Sequence, residues 1–240
     1  MGCSQQSSHT PTDIHIDISN EKEEQLFIQH LQELSIVDTS KTYKSVVQEI
    51  LKEREGLSLQ NLSSDSISAL FKEALLYKVI PFWEGTKWSF EGHSSQPKKG
   101  RIACGYFVST TLRDVGLHLN RYKLAQQSPI NEAKSLAIHS EVKEFYANTK
   151  VENIEKMKEE LKEGIHFIGF DQSHVGYLLN EGGQLYLIHS NYINQVGVMI
   201  EPIEQSDVFG HYNRFFITEL STNPHLLDCW INNTSIGIVK

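Results

Sequence analysis

Cysteine is scarce in this chain: Cys3, Cys104 and Cys229 are the three thiols in 240 residues. Thiols so few and so far apart make no disulfide scaffold, and no Cys-x-x-Cys or Cys/His spacing of a zinc site occurs. Free thiols are expected, with a Cys104 to Cys229 bridge as the lesser alternative, and neither a metal nor a cofactor is expected. Long apolar runs are also missing. None approaches the roughly 18 residues needed to span a bilayer, and the N-terminus lacks the charged and apolar regions of a secretory signal. Positive charge is in deficit as well, 22 Lys and Arg against 30 Asp and Glu for a net charge of −8. The basic residues are scattered rather than interleaved with aromatics, so a nucleic-acid partner is not expected.

What is present supports a globular fold, since 39% of the residues are hydrophobic and the length permits a substantial core. The opening "MGCSQQSSHTPT" is polar and reads as a disordered tether. A small residue, then cysteine, then a polar stretch resembles the mature start of a bacterial lipoprotein, which makes Cys3 the candidate lipid anchor to a membrane. Myristoylation at Gly2 is the rival, but Gln6 stands where Ser or Thr is usual. An ordinary floppy terminus is the third reading.

Periodicity divides the rest of the chain. Leu26, Phe27, Leu31 and Leu34 fall at helical spacing, as do Val46, Val47, Ile50 and Leu51. A third helix is expected to open in the cluster Ser63 to Ser66 and to run through Leu70, Phe71, Leu75 and Leu76. The expected organisation is a tether over 1–20, a helical region over 21–80 and a compact unit over 81–240. Composition changes at Pro81, where "PFWEGTKWSFEGHSSQPKKGR" reads as a structured loop. A helix follows from Cys104 to about Val115, with Gly116 placed as its left-handed cap. Residues 131–163 are rich in Lys and Glu and read as helices with solvated faces.

Beyond Gly164 the pattern turns to strand. "IHFIGF", "HVGYLLN", "QLYLIHSNY", "QVGVMIEPI" and "NRFFITEL" predict an antiparallel meander of about five strands, and "NPHLLDCWINN" predicts a late helix with an Asn cap and Pro at its first position. Helices followed by an antiparallel sheet make an α+β fold.

Chemistry is expected where a helix start meets that sheet. Cys104 at a helix N-terminus lies in the positive end of the helix dipole, which favours thiolate, and its free backbone N–H can donate to an oxyanion. Its partner lies in "DQSHVGYLLNEGGQLYLIHSNY", a hairpin turning within Asn180 to Gly183. A two-residue loop of Glu181 and Gly182 pairs His174 with His189. A loop of Gly182 and Gly183 places His174 opposite Asn191. Any even loop keeps His174, His189 and Asn191 on one face. A cysteine with an imidazole base and a second polar group to orient that base is the requirement of thiol catalysis. Read without function, Cys104 is a core thiol and the two histidines are half-buried strand residues.

These segments resemble the NlpC-type cell-wall endopeptidases of the papain-like cysteine hydrolase superfamily. "GRIACGYFVSTTLRDVG" is similar to their nucleophile helix. "GIHFIGF", "SHVGYLL" and "LYLIHSN" follow in the order of their first strand, base-bearing strand and orienting-residue strand, and "FWEGTKW" is similar to the aromatic loop lining their cleft. The likeness covers roughly residues 81–200. It departs at Ala103, where the family has aspartate, at Gly105, where it has serine, and in the long helical segment before the base.

The resemblance implies a papain-like core with a helical N-terminal extension. It assigns Cys104 as nucleophile, His174 as base and His189 as orienting residue, with Asn191 as the alternative in that last role. Trp83, Trp88 and Asp171 are candidates for the substrate cleft, Asp171 as a partner for a substrate amine. The implied partner is a peptidoglycan stem peptide or another amide substrate, and the implied location is the bacterial cell envelope, periplasmic and lipid-anchored through Cys3, or cytoplasmic without the anchor. The alternatives are a papain-fold amidase, deamidase or acyltransferase on a protein or lipid substrate, and an inactive wall-binding module.

Overall fold

The computed structural model describes residues 36–171 and 173–240, with positions 29 and 34. Cys3, the tether and most of the first expected helix lie outside the described residues.

Helix α1, Tyr43–Leu57, starts at Thr42, whose side chain accepts from the Ser45 N–H while the Ser45 hydroxyl returns to the Thr42 N–H. It buries Val46, Ile50, Arg54 and Leu57, one stripe at helical spacing. Helix α2, Ser64–Lys72, is capped by the Ser63 hydroxyl, as its serine cluster predicts. It does not end before Pro81. A widened π-helical stretch, Glu73–Val79, carries it into α3, Ile80–Trp83, with Pro81 near the start of that last segment.

The loop over 84–103 is stitched to the sheet edge. Gly85 N–H donates to Val198 O, Val198 N–H to Thr86 O, and Ile102 N–H to Lys87 O. Gly197, at φ +100°, is required there, because a Cβ would lie 2.0 Å from the Thr86 carbonyl oxygen. Helix α4 then runs Cys104–Asp114, and Gly116 has φ +103°, both as expected. Helices α5, Arg121–Ala125, and α6, Pro129–Ala137, follow, and α7 spans Lys150–Glu160.

Six antiparallel strands form one sheet: β1 Lys143–Tyr146, β2 Gly164–Phe170, β3 His174–Glu181, β4 Gln184–Asn191, β5 Gly197–Pro202 and β6 Arg214–Glu219. The expected meander needs two corrections. β1 sits in the segment read as all helix, where half-buried Lys143 and exposed Glu144 and Tyr146 hide one buried Phe145. β6 returns past β2 rather than following β5, giving the order β1-β6-β2-β3-β4-β5. β2 is therefore an inner strand buried on both faces, which is why "GIHFIGF" is apolar almost throughout.

Two cores lie on opposite faces of this sheet. On one, Phe107, Val108 and Leu112 of α4 pack with Phe167, Val175 and Tyr177, and the same core takes in Val46 and Ile50 of α1, Phe71 of α2 and Trp230. On the other, Ile154 and Met157 of α7 pack with Phe170, Leu178, Leu187 and Phe215. Each such side chain contributes about 1.5–3 kcal/mol on burial. Short helix α8, Asp207–Gly210, covers the second face, and α9, Pro224–Ile231, is capped by the Asn223 side chain as its sequence predicts.

Candidate active site

Cys104 is the first residue of α4, so its N–H has no acceptor one turn back. Several contacts hold that helix start. Tyr177 on β3 places its hydroxyl 3.0 Å from Val108 O and 2.6 Å from Thr111 Oγ1 of α4. Ser190 on β4 donates to Ile102 O, two residues before the thiol, at 2.8 Å. Gly105 is forced by crowding, because a Cβ there would lie 2.8 Å from Ala125 O and 3.1 Å from Glu132 Oε1. Any side chain at this position would meet the same crowding. The backbone N–H groups of Val175, Gly105 and Cys104 lie near enough to the sulfur to favour its anion.

The hairpin turns at Gly182 and Gly183, both at positive φ, and pairs Glu181 with Gln184 and Tyr177 with Ile188. This is the register that sets His174 across from Asn191, not from His189. The hydrogen bond nevertheless runs diagonally: His174 Nε2 lies 2.8 Å from His189 Nδ1. Gly176 makes the diagonal possible, since a Cβ on it would meet His189 Cβ at 2.9 Å. Asn191 is turned elsewhere, its Oδ1 accepting from Ile193 N–H at 2.8 Å, so it does not orient His174.

The chain of contacts goes one residue further. His189 Nε2 lies 3.0 Å from Glu201 Oε1 on β5. Burial raises the Glu201 pKa, but hydrogen bonds from His189 and Ser206 and the Lys150 charge outweigh it, so the carboxyl stays below its ordinary value and accepts. His189 therefore donates from Nε2 and accepts at Nδ1, and His174 donates its Nε2–H. The nitrogen of His174 left with a lone pair is Nδ1. Glu201 was not anticipated; the available signal was one acid in the otherwise apolar strand "GVMIEP".

Cys104 and His174 line one cavity of about 640 Å³. Its wall has five aromatic rings, Trp88, Phe90, Tyr106, Tyr192 and Tyr212, and two acids, Glu91 and Glu132. Among the described residues lining it there is no lysine or arginine. Of the proposed cleft residues, Trp88 is in this wall. Trp83 is not: it is fully buried, donating its indole N–H to the Tyr43 hydroxyl at 2.9 Å, which in turn donates to Asp114 Oδ2 at 2.6 Å. Asp171 is also outside the wall, at φ +42° in the β2–β3 turn with its N–H on Arg214 O.

Protonation in this cavity departs from the expectation of a preformed thiolate. Burial pushes the Cys104 thiol up to about 11, against the three N–H groups that favour its anion. Burial, with His189 adjacent, holds His174 well below the ordinary imidazole value. The resting pair is a thiol and a neutral imidazole that line the same cavity. Both Cys104 and Cys229 are free thiols, and among the described residues no cluster of His, Cys, Asp and Glu forms a metal site. Compared with known proteins, the chain matches no family model, no curated protein and no solved structure.

Proposed function

We propose that this protein is a cysteine hydrolase that cleaves an amide bond through a thioester on Cys104, with a papain-like arrangement of nucleophile and base and a peptidoglycan stem peptide as substrate. The observation that carries the reading is the chain Glu201, His189, His174, which fixes the base tautomer in the cavity holding Cys104. The stem-peptide substrate and an envelope location rest on the likeness of the "IACGYFV", "SHVGYLL" and "LYLIHSN" segments to cell-wall endopeptidases.

In this reaction His174 Nδ1 takes the thiol proton as the sulfur attacks the amide carbonyl carbon. The tetrahedral oxyanion accepts from the Cys104 backbone N–H. Collapse re-forms the carbonyl and breaks the C–N bond, and the leaving amine departs with the proton from His174. Water then attacks the thioester, giving its proton to His174 and its oxygen to the acyl carbon. The acid leaves, and the sulfur recovers its proton. Positive charge on His174 is stabilised through His189 by Glu201.

Incubation of the full chain with purified muropeptides tests this by mass spectrometry. The expected product carries a new amine terminus and is absent with Cys104→Ala and His174→Ala. Release of ammonia instead would make the enzyme a deamidase on the same residues, and unchanged turnover by Cys104→Ala would reject the thioester route.

A further inference from the structure

Glu132 is 2% exposed, yet among the described residues its side chain has no hydrogen-bond or ion-pair partner, and its Oε2 is sealed from solvent. Such a group is costly unless something supplies what it lacks. It is not remote from the chemistry. Glu132 lines the Cys104 cavity, and its Oε1 lies 3.1 Å from where a Cβ on Gly105 would be, beside the nucleophile. The fold takes trouble to hold it there. Pro129 at the start of α6 is pressed against β2 at Gly169, where a Cβ would meet Pro129 Cβ at 2.8 Å, and this contact seats the first turns of α6 in the cavity wall.

The missing partner can be read from the surroundings. Glu91 is the other charged wall residue, also an acid, and the remaining wall carries five aromatic rings and, among the described residues, no lysine or arginine. An anionic ligand would meet two carboxyls there. An ammonium would meet a carboxylate and ring faces, both of which attract cations. From these observations we infer that the cavity selects substrates carrying a primary ammonium group next to the scissile acyl group, with Glu132 as its buried counter-ion. This inference rests on the hydrolase reading of Cys104 and adds the charge class of its substrate. Burial raises the Glu132 carboxyl well above its ordinary value in the empty site, so binding of the cation is coupled to loss of that proton.

Thiol-specific methanethiosulfonates that differ only in charge test it on the intact protein. Each transfers its thioalkyl group to Cys104 as a mixed disulfide and releases methanesulfinate. Rates for the 2-aminoethyl, 2-sulfonatoethyl and neutral propyl reagents are measured at Cys104 by peptide mass spectrometry. They are divided by their rates on 2-mercaptoethanol, in about 0.5 M salt so that surface charge is screened. The expected result is an ammonium-to-propyl ratio of roughly tenfold, falling to within about twofold in Glu132→Gln. If Glu132→Gln does not fold, Glu132→Asp, which withdraws the charge by one methylene, must still lower the ratio. No ammonium preference in the wild type, or the same preference in Glu132→Gln, overturns the inference. The hydrolase reading fails separately: a propyl rate unaffected by His174→Ala at neutral pH removes the base without altering the charge ratio.

Discussion

Glu201 Oε1 sits 3.0 Å from His189 Nε2, and through that contact a strand remote from the thiol decides which nitrogen of His174 is basic. The relay crosses β5, β4 and β3 in turn, each strand supplying one member. Glu201→Gln keeps the shape but offers an amide that can donate to His189 as well as accept, so the tautomer is no longer fixed. Neutral-pH labelling of Cys104 by iodoacetamide should fall roughly 10- to 100-fold with little change in Tm. Labelling at the wild-type rate would show that Glu201 does not govern the base.

A resting neutral pair has a pH signature of its own. On the proposed mechanism, between the depressed His174 pKa and the Cys104 value of about 11 the reactive thiolate is supplied by internal transfer to His174, a step that neither takes up nor releases a proton. Wild-type labelling should therefore be flat across neutral pH and rise only toward pH 11. In His174→Ala the flat part should vanish, leaving about a tenfold rise per pH unit. A preformed thiolate would instead titrate once, in the acid range, with no alkaline rise.

Glu132 should also show in stability. Its folded pKa lies well above its unfolded value, so its contribution to stability is present below about pH 4.5 and is lost as pH rises toward the folded pKa. Glu132→Gln removes that loss. Thermal melts should show a Tm gain for the variant that is larger at about pH 8 than at about pH 5. Equal gains at both would mean that the carboxyl is not neutral in the folded protein. His174 acts in the opposite sense: its depressed pKa gives stability present above about pH 6.5 and lost as pH falls.

Much of this was legible in the chain because it rests on local rules. Strand parity alone put His174 and His189 on one face, and the cap at Gly116 fixed where the Cys104 helix ends. What escaped depended on contacts distant in sequence. Glu132 was hidden in a Lys- and Glu-rich segment that looks solvated, because nothing local reports that Pro129 will be pressed onto Gly169. Phe145 alone marks β1, whose partner β6 begins only at Arg214. Trp83 looked like a cleft residue because the π-helical stretch that turns it toward Tyr43 has no sequence signature.

Gly176 joins these two levels, and its substitution should separate stability from chemistry. The loop of Gly182 and Gly183 sets His189 across from residue 176, so the ring can lean toward His174 only if that position has no side chain. In Gly176→Ala the new Cβ would meet His189 Cβ and Ile188 O, each at 2.9 Å, and both belong to a buried inner strand with no room to retreat. The strain should cost about 1–3 kcal/mol, which a folded domain can survive. His189 must yield first, because its side chain is freer to move than the β4 backbone. The 2.8 Å contact to His174 would then open, and the base would lose its fixed tautomer. Denaturant unfolding with Cys104 labelling on the same sample checks this. The expected outcome is a folded protein whose flat neutral-pH labelling is gone, and full labelling despite the lost stability would mean that His174 does not need His189.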